Sequence, residues 1–169
     1  MAETVADSFR PLGDRAVRVE FGREISPDIH ARVQRFCMAL ERDPILGVIE
    51  WVPAYATVAV YYQPSVMRYE TLCSILEERL TARFTESLSP ARVIEIPVRY
   101  DGPDLDFVAA YHKLSHEEVI ALHAAPTYRV YLLGFLPGFP YLGGLPEALA
   151  TPRRDTPRLR IAAGSVGIA

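Results

Sequence analysis

Cysteine and long apolar runs are both scarce in this sequence. Its two cysteines, Cys37 and Cys73, lie far apart, form no CxxC pattern and each fall within a helical pattern. Isolated thiols of this kind favour reduced packing residues over a disulfide or a metal site. No run of 18 apolar residues and no signal peptide is present. The sequence therefore predicts a cytoplasmic protein without a membrane segment.

An excess of charge of one sign is lacking as well. The formal net charge of the 169 residues is −3, and half of them are hydrophobic. This composition is ordinary for a globular protein, and the length fits one domain or two small ones. It gives no electrostatic reason to bind nucleic acid or anionic lipid, so we expect no nucleic acid and no membrane as a partner.

Strand and helix patterns alternate in the first half. Val17, Val19 and Phe21 alternate with charged residues, which is typical of a half-buried strand. A turn at Gly13-Asp14 separates this strand from an earlier one. Ser26-Pro27-Asp28 predicts a helix start, because serine caps, proline suits the first position and an acid favours the first turn.

The same order then repeats. Strands are predicted over Val48–Val52 and Thr57–Tyr62, followed by a helix from about Tyr69. Two rounds of strand–strand–helix predict an α+β protein with both helices on one face of an antiparallel sheet. We therefore expect residues 1–90 to form a small two-layer domain of order ββαββα.

The position of the domain boundary leaves one alternative for the fold. If Val93–Val98 is the last strand of the first domain, the arrangement is a split βαβ unit. The segment Ser87–Pro90 is instead typical of a linker. It favours a second domain over residues 91–169 that begins with the strand Val93–Val98.

Two short helices are predicted in the second half, at Asp104–His112 and Ser115–His123, the latter with Ser115 and Glu118 in capping-box spacing. The two could form a helix-turn-helix, but Glu117-Glu118 would face DNA phosphates with the wrong sign.

His112 and His116 have a metal-ligand spacing, but Leu114-Ser115 interrupts the helix between them, so we predict no metal.

His123 precedes the predicted strand Tyr128–Leu133 and lies close in sequence to the segment richest in functional signals. It is a candidate catalytic residue. The alternative is a histidine that interacts with the carbonyl end of its own helix.

A glycine- and proline-rich segment, Gly134–Leu145, follows that strand. Two prolines and four glycines exclude a helix and break an ordinary strand. Large aromatic side chains in so rigid a loop predict an ordered wall of a binding pocket. The predicted wall residues are Tyr128, Tyr131, Phe135, Pro137, Phe139 and Tyr141.

Four arginines fall within eight residues between Arg153 and Arg160. Guanidinium groups beside a glycine-rich loop suit a carboxylate or phosphate, because they offer paired donors in a fixed plane. A basic surface loop is the alternative.

Several of these segments together resemble the KipI-type family. The motifs are Pro126–Tyr131, Gly134–Leu145, Ala150–Arg153 and Ala163–Ala169, with Pro11–Arg15 and Val52–Tyr55 in the first half. Family members include the 5-oxoprolinase B subunit, allophanate hydrolase subunit 1 and one half of the carboxyltransferase region of urea carboxylases. The resemblance covers nearly the whole chain.

The resemblance implies a fold, partners and a reaction. The second domain is expected to be a cyclophilin-like β-barrel. The expected partners are a KipA-like protein, which is the C subunit, and a LamB/YcsF-like protein, which is the A subunit. Together they are expected to open the lactam 5-oxoproline to glutamate with ATP hydrolysis. The sequence has no Walker motif and no biotinyl-lysine context, so we expect ATP to act at the level of the complex.

Chemistry on the motif positions then suggests roles. Arg153, Arg154 and Arg158 are predicted to bind a substrate carboxylate, with backbone N–H groups of Gly138, Gly143 and Gly144 as further anion donors. His123 is the predicted proton carrier.

The chain departs from the family pattern by stopping at Ala169. Val93–Val98, Tyr128–Leu133 and Ile161–Ile168 are too few strands to close a barrel. We therefore expect an incomplete barrel, inactive alone, with an open edge that favours self-association. Two alternative functions stay open: an inhibitor of a sensor histidine kinase, and one half of a biotin-dependent urea-type carboxyltransferase.

Overall fold

A computed structural model describes residues 8–81 and 91–168 of the chain. Within these ranges it contains four α-helices and antiparallel strands, which confirms the predicted α+β class. The chain divides into two compact units. The first comprises Met1–Ala91 with Tyr131–Pro140, and the second Arg92–Val130 with Tyr141–Ala169. The predicted linker Ser87–Pro90 lies outside the described residues.

The first unit is built on an antiparallel sheet in the order β1–β2–β4–β3. Its strands are β1 (Ser8–Pro11), β2 (Ala16–Glu20), β3 (Val48–Pro53) and β4 (Thr57–Tyr62). Val17 pairs with Val60 and Val19 with Val58. All four side chains are fully buried, and branched cross-strand pairs of this kind stabilise a sheet.

Two helices complete this unit, α1 (Pro27–Arg42) and α2 (Tyr69–Thr81). The hydroxyl of Ser26 accepts the backbone N–H of Asp28, so α1 begins where the sequence predicts. Helices and sheet share one buried cluster, which contains Val33, Phe36 and Leu40 of α1, Leu72 and Leu76 of α2, and the valines of β2 and β4.

The second unit contains α3 (Leu105–His112), α4 (His116–Ala124) and a 3₁₀ helix at Glu147–Leu149. Lys113 ends α3 with a φ of 58°, which confirms the predicted break between the two helices. Both hydrogen bonds of the capping box are present: each of Ser115 and Glu118 accepts the other's backbone N–H with its side chain. A small buried cluster joins the three helices through Val108, Ala109, Val119 and Leu149.

Strands β5 (Arg129–Leu133) and β6 (Pro140–Gly143) form a separate two-stranded sheet. Six residues join them, so they pair as an antiparallel hairpin. The prediction that the glycine- and proline-rich segment contains no strand is therefore wrong over Pro140–Gly143. Proline at the first position of a strand is compatible with pairing, because the ladder does not require its missing N–H there.

Two predicted strands are absent from the described residues. Residues 91–100 and 151–168 contain no helix and no strand, which contradicts the predicted strands Val93–Val98 and Ile161–Ile168. Val93 and Ile96 are more than 70% exposed. An apolar alternating segment becomes a strand only when another strand supplies its hydrogen bonds, and no described residue does so. The split βαβ alternative therefore lacks its last strand.

No helix in the described ranges is both long enough and apolar enough to cross a membrane.

Candidate functional site

His123 lies in the last turn of α4 between two tyrosines of the second unit. Its Nδ1 is 2.7 Å from the hydroxyl oxygen of Tyr100. The hydroxyl of Tyr128 donates to the backbone carbonyl oxygen of His123 over 2.8 Å. The Tyr100 ring meets the imidazole edge-on and the Tyr128 ring lies tilted beside it. The imidazole is therefore fixed through its ring and through its backbone.

The surroundings of His123 favour the neutral imidazole. Burial lowers the pKa of His123 below its usual value of 6.5, because removal from water disfavours the charged form. Burial also raises the pKa of Tyr128, with a smaller contribution from Tyr100. Both shifts favour the uncharged forms of His123 and Tyr128 at neutral pH.

Two of the predicted anion-binding arginines converge on one carboxylate, that of Asp104. Arg158 binds both of its oxygens, with Nη2 2.7 Å from Oδ1 and Nη1 on Oδ2. Arg154 Nη1 lies 2.5 Å from Oδ1. The paired donors of Arg158 thus bind a carboxylate in the forked geometry for which arginine is suited. The carboxylate that occupies them belongs to the chain itself.

The Asp104 carboxylate is paired with two arginines, but the cluster is open to water. Hydrogen bonding from Arg158 and the charges of both arginines hold the pKa of Asp104 below its ordinary value. The same contact raises the pKa of Arg158. Arg153 differs from its neighbours, since it is exposed and has no hydrogen bond or ion pair with any residue that the structure describes.

The hairpin tip between β5 and β6 is ordered by backbone hydrogen bonds. Leu136 N–H donates to Gly134 O over 2.7 Å, a γ-turn centred on Phe135 with a φ of 63°. Phe139 N–H donates to Leu136 O over 3.0 Å. With proline second and Gly138 third at a φ of 78°, this is a type II turn.

The tip presents aromatic side chains to solvent. Phe135 is 81% exposed and Phe139 42% exposed, and their rings meet edge to face with centroids 5.7 Å apart. A left-handed backbone is costly for a bulky residue such as Phe135, and such conformations concentrate at functional sites. Phe135, Pro137 and Phe139 stay predictions as pocket-wall residues.

The other predicted site residues lie at the base of the hairpin or inside a unit. Tyr131 is buried in the first unit, against the rings of His30 and Tyr55. Tyr141 and Gly143 belong to β6. Gly144 has a φ of 108°, and a Cβ there would contact the Thr127 carbonyl oxygen at 3.6 Å, so glycine fits this position.

The histidines with metal-ligand spacing have separate partners. His112 Nε2 lies 3.1 Å from the hydroxyl of Thr151, and His116 Nε2 lies 2.8 Å from Asp106 Oδ1. No group of three or more metal-ligating side chains occurs among the described residues.

Cys37 and Cys73 are free thiols, and burial raises the pKa of Cys37 to about 11.

Sequence reasoning missed Tyr100 and Asp104, the residues on which the two clusters depend. Tyr100 follows the apolar segment that has the strand pattern, and Asp104 is predicted only as a helix start. Each acts on a partner more than twenty positions away. No local pattern indicates such contacts.

Fold and site together define an α+β protein whose second unit carries a tyrosine-flanked neutral histidine and a carboxylate-binding pair of arginines. The family model described as carboxyltransferase domain, subdomain C and D, matches residues 8–169. The chain belongs to this family.

Individual relatives agree with this assignment. The 5-oxoprolinase B subunit of Bacillus subtilis (strain 168) is 40% identical over 98% of this chain and 75% of its own length. The 5-oxoprolinase B subunit of Escherichia coli O157:H7 is 42% identical over 93% of this chain and 72% of its own length. The resemblance to the KipI-type family of 5-oxoprolinase B subunits is confirmed.

A solved structure shares the fold. The crystal structure of TTHA0988 superposes with a TM-score of 0.79 at 41% identity and covers 92% of this chain. This chain spans 31% of the length of that one.

Proposed function

We propose that this chain acts as the B subunit of an ATP-dependent 5-oxoprolinase, which opens 5-oxoproline to L-glutamate together with two other proteins. The observation that carries the proposal is identity of 40% or more, over more than nine tenths of the chain, with two proteins named as 5-oxoprolinase B subunits. The name of these relatives implies a complex of several subunits. We propose the KipA-like C subunit, together with the LamB/YcsF-like A subunit, as the partners.

The proposal includes a finer domain assignment. Residues 1–90 would be the two-layer ββαββα domain, and residues 91–169 the first part of a cyclophilin-like barrel. The sheet β1–β2–β4–β3 with α1 and α2 supports the first assignment. The hairpin of β5 and β6 offers a pair of strands on which a barrel can be extended, although its residues Tyr131–Pro140 group with the first unit.

The chemistry of a lactam explains what this chain would contribute. An unstrained amide is a poor electrophile, and its carbonyl oxygen gains negative charge as the ring opens. The substrate also carries a carboxylate, which would bind to Arg153 or replace Asp104 on Arg154 and Arg158. Arg153, exposed and without a described partner, is the proposed first contact, with Arg154 and Arg158 beside it.

ATP supplies the driving force for lactam opening at the level of the complex. The starts of α3 and α4 are unfavourable places for its phosphates. A phosphate site at a helix start needs free backbone N–H groups in a positive field. Here α3 begins at the Asp104 carboxylate, and α4 begins with Glu118 bound to the Ser115 N–H. We therefore propose that ATP binds mainly on a partner protein.

The test is an assay of ATP-dependent 5-oxoproline hydrolysis with the three full-length subunits, measuring glutamate and ADP. The proposal expects glutamate only when all three proteins and ATP are present. Omission of the B subunit should abolish the product, and the isolated B subunit should form none. Glutamate formation without the B subunit, or none from the complete mixture, would refute the proposal.

A matched pair of variants tests the substrate contact. Arg153→Ala is expected to raise KM for 5-oxoproline by about 10- to 100-fold, since a hydrogen bond to a charged group contributes about 1.5–3 kcal/mol. Arg160→Ala removes an exposed arginine from the same loop and should leave KM unchanged. Equal effects of the two changes would assign the loop a general electrostatic role instead.

A second candidate is a urea-type carboxyltransferase half, which the description of the matching family favours. This activity would require biotin on a partner and would use carboxybiotin and urea. Carboxylation of urea by a mixture that leaves 5-oxoproline intact would select this candidate over the first.

A further inference from the structure

The hydrogen bond between Tyr100 and His123 bears on which ring nitrogen of His123 carries the hydrogen. The two heavy atoms are 2.7 Å apart. That separation lies within the range of both donor types, at the short end for an N–H donor. The geometry therefore allows the phenol hydroxyl to donate to Nδ1 of His123, and this direction is the premise of the proposal below.

An imidazole that accepts at Nδ1 carries its proton on Nε2 while it is neutral. Nε2 forms no hydrogen bond with any residue in the described part of the chain. The burial that lowers the pKa of His123 works in the same direction, because it keeps the ring uncharged at neutral pH. With Tyr100 as the donor, Nε2–H is an N–H group that no described residue accepts.

We propose that Tyr100 is a positioning residue that holds His123 as the Nε2–H tautomer, so that Nε2 donates a hydrogen bond to a carbonyl or carboxylate oxygen of the substrate. This inference deepens the proposed function and rests on it for the identity of that substrate. It replaces the predicted role of His123 as a proton carrier. Tyr128 supports the same geometry by binding the His123 carbonyl oxygen.

The chemical consequence is electrostatic stabilisation without proton transfer. A neutral N–H donor aimed at an amide oxygen stabilises the negative charge that develops there as the carbonyl carbon is attacked. A neutral imidazole can serve as such an electrophile when its surroundings disfavour the imidazolium ion. Tyr100 would act by excluding the other tautomer, in which Nε2 has no hydrogen to donate.

The tautomer can be measured directly, without any activity, by ¹⁵N NMR of the side-chain nitrogens of His123 in this chain at pH 8. We expect a pyridine-type Nδ1 signal, shifted by its hydrogen bond, and a pyrrole-type Nε2 signal. Tyr100→Phe should shift the Nδ1 signal, because the donor is lost. Tyr111→Phe is the control, since Tyr111 is exposed and contacts other rings.

A pyrrole-type Nδ1 in the unsubstituted chain would overturn the inference, and this result needs no variant to fold. The measurement also stands if the complex proves not to hydrolyse 5-oxoproline. In that case the proposed function fails, while the tautomer and its dependence on Tyr100 are still decided.

Activity of the complete complex separates a donor from an acid or base. His123→Gln retains an N–H donor but cannot transfer a proton at neutral pH. We expect it to keep kcat within about tenfold of the unsubstituted complex, whereas His123→Ala should lose about a hundredfold or more. Tyr100→Phe should lower kcat about tenfold, as expected for one neutral hydrogen bond. Equal loss in His123→Gln and His123→Ala, with both proteins folded by NMR, would overturn the donor role.

Discussion

Arg158 and Asp104 form a two-point ion pair across 54 positions of the chain, with Nη2 2.7 Å from Oδ1 and Nη1 on Oδ2. The segment around Arg158 has no helix or strand. Arg154 shares the same carboxylate. These ion pairs therefore hold an irregular arginine-rich segment against the start of α3.

The ion pair predicts a specific response to acid. The pKa of Asp104 is lowered from 3.8 in the folded protein, chiefly by its hydrogen bond from Arg158. Because the folded value lies below the unfolded one, the contribution to stability is present above the unfolded pKa and is lost as the pH falls through the folded pKa. A ¹³C NMR titration of the Asp104 carboxyl group should give a midpoint below 3.8. Arg158→Gln should move that midpoint upward, and an unsubstituted chain without the lowered midpoint would contradict the ion pair.

Removal of the cap of α4 should destabilise the second unit. The Ser115 hydroxyl accepts the Glu118 N–H, and the Glu118 carboxylate accepts the Ser115 N–H. Ser115→Ala should lower the free energy of unfolding by about 1 kcal/mol. Ser74→Ala is the control, because Ser74 lies inside α2 and bonds only to the preceding turn. Chemical denaturation followed by circular dichroism measures both, and equal stability of the two variants would exclude the cap as a contributor.

A methyl group added at Gly138, in the hairpin tip, should lower the stability of the protein. Gly138 has a φ of 78°, so Gly138→Ala places a side chain in the left-handed region at a cost of about 1–2 kcal/mol, although the space around it is open. Gly102 also has open space and does not have a positive φ, so Gly102→Ala should be neutral or slightly stabilising. Thermal unfolding of both variants tests the difference. A tolerated Gly138→Ala would show that this turn is not rigid.

The exposed segment Val93–Val98 should promote self-association. Its apolar side chains are solvent-exposed, with Ile94 61% and Ile96 73% exposed, and it pairs with no described strand. Burial of a few hundred Å² of such surface contributes several kcal/mol, at about 25 cal/mol per Å². Light scattering should therefore give a mass above the 18.9 kDa of one chain, and Ile94→Lys with Ile96→Lys should reduce it. Leu46→Lys, at another exposed apolar position, is the control. If the unsubstituted chain is a monomer, the segment Val93–Val98 does not promote self-association.

Sequence patterns predict those elements whose cause is local. The helix start at Ser26-Pro27 and the capping box at Ser115 each depend on residues within one turn. The alternation in Ala16–Glu20 is equally local, since it records which face of the strand is buried. Such signals predict the start of a helix or the buried face of a strand without knowledge of the rest of the chain.

Other features depend on a partner that the local pattern does not contain. Val93–Val98 has a good strand pattern, but a strand needs a neighbour for its backbone N–H and C=O groups. Pro140–Gly143 has a poor pattern and is a strand, because β5 is adjacent along the hairpin. Asp104 and Tyr100 meet their partners only after folding, so the composition of the candidate site could be predicted only in part.

The strand order β1–β2–β4–β3 means that the sheet of the first unit consists of two local hairpins. They are joined by the pairing of β2 with β4, which are far apart in the sequence. β1 meets β2, and β3 meets β4, across short turns. β2 meets β4 only after α1 and β3 have followed it along the chain, so this contact closes a long loop and loses more chain entropy before it forms. The pairing of Val17 with Val60 thus belongs to the junction that joins two local hairpins into one sheet.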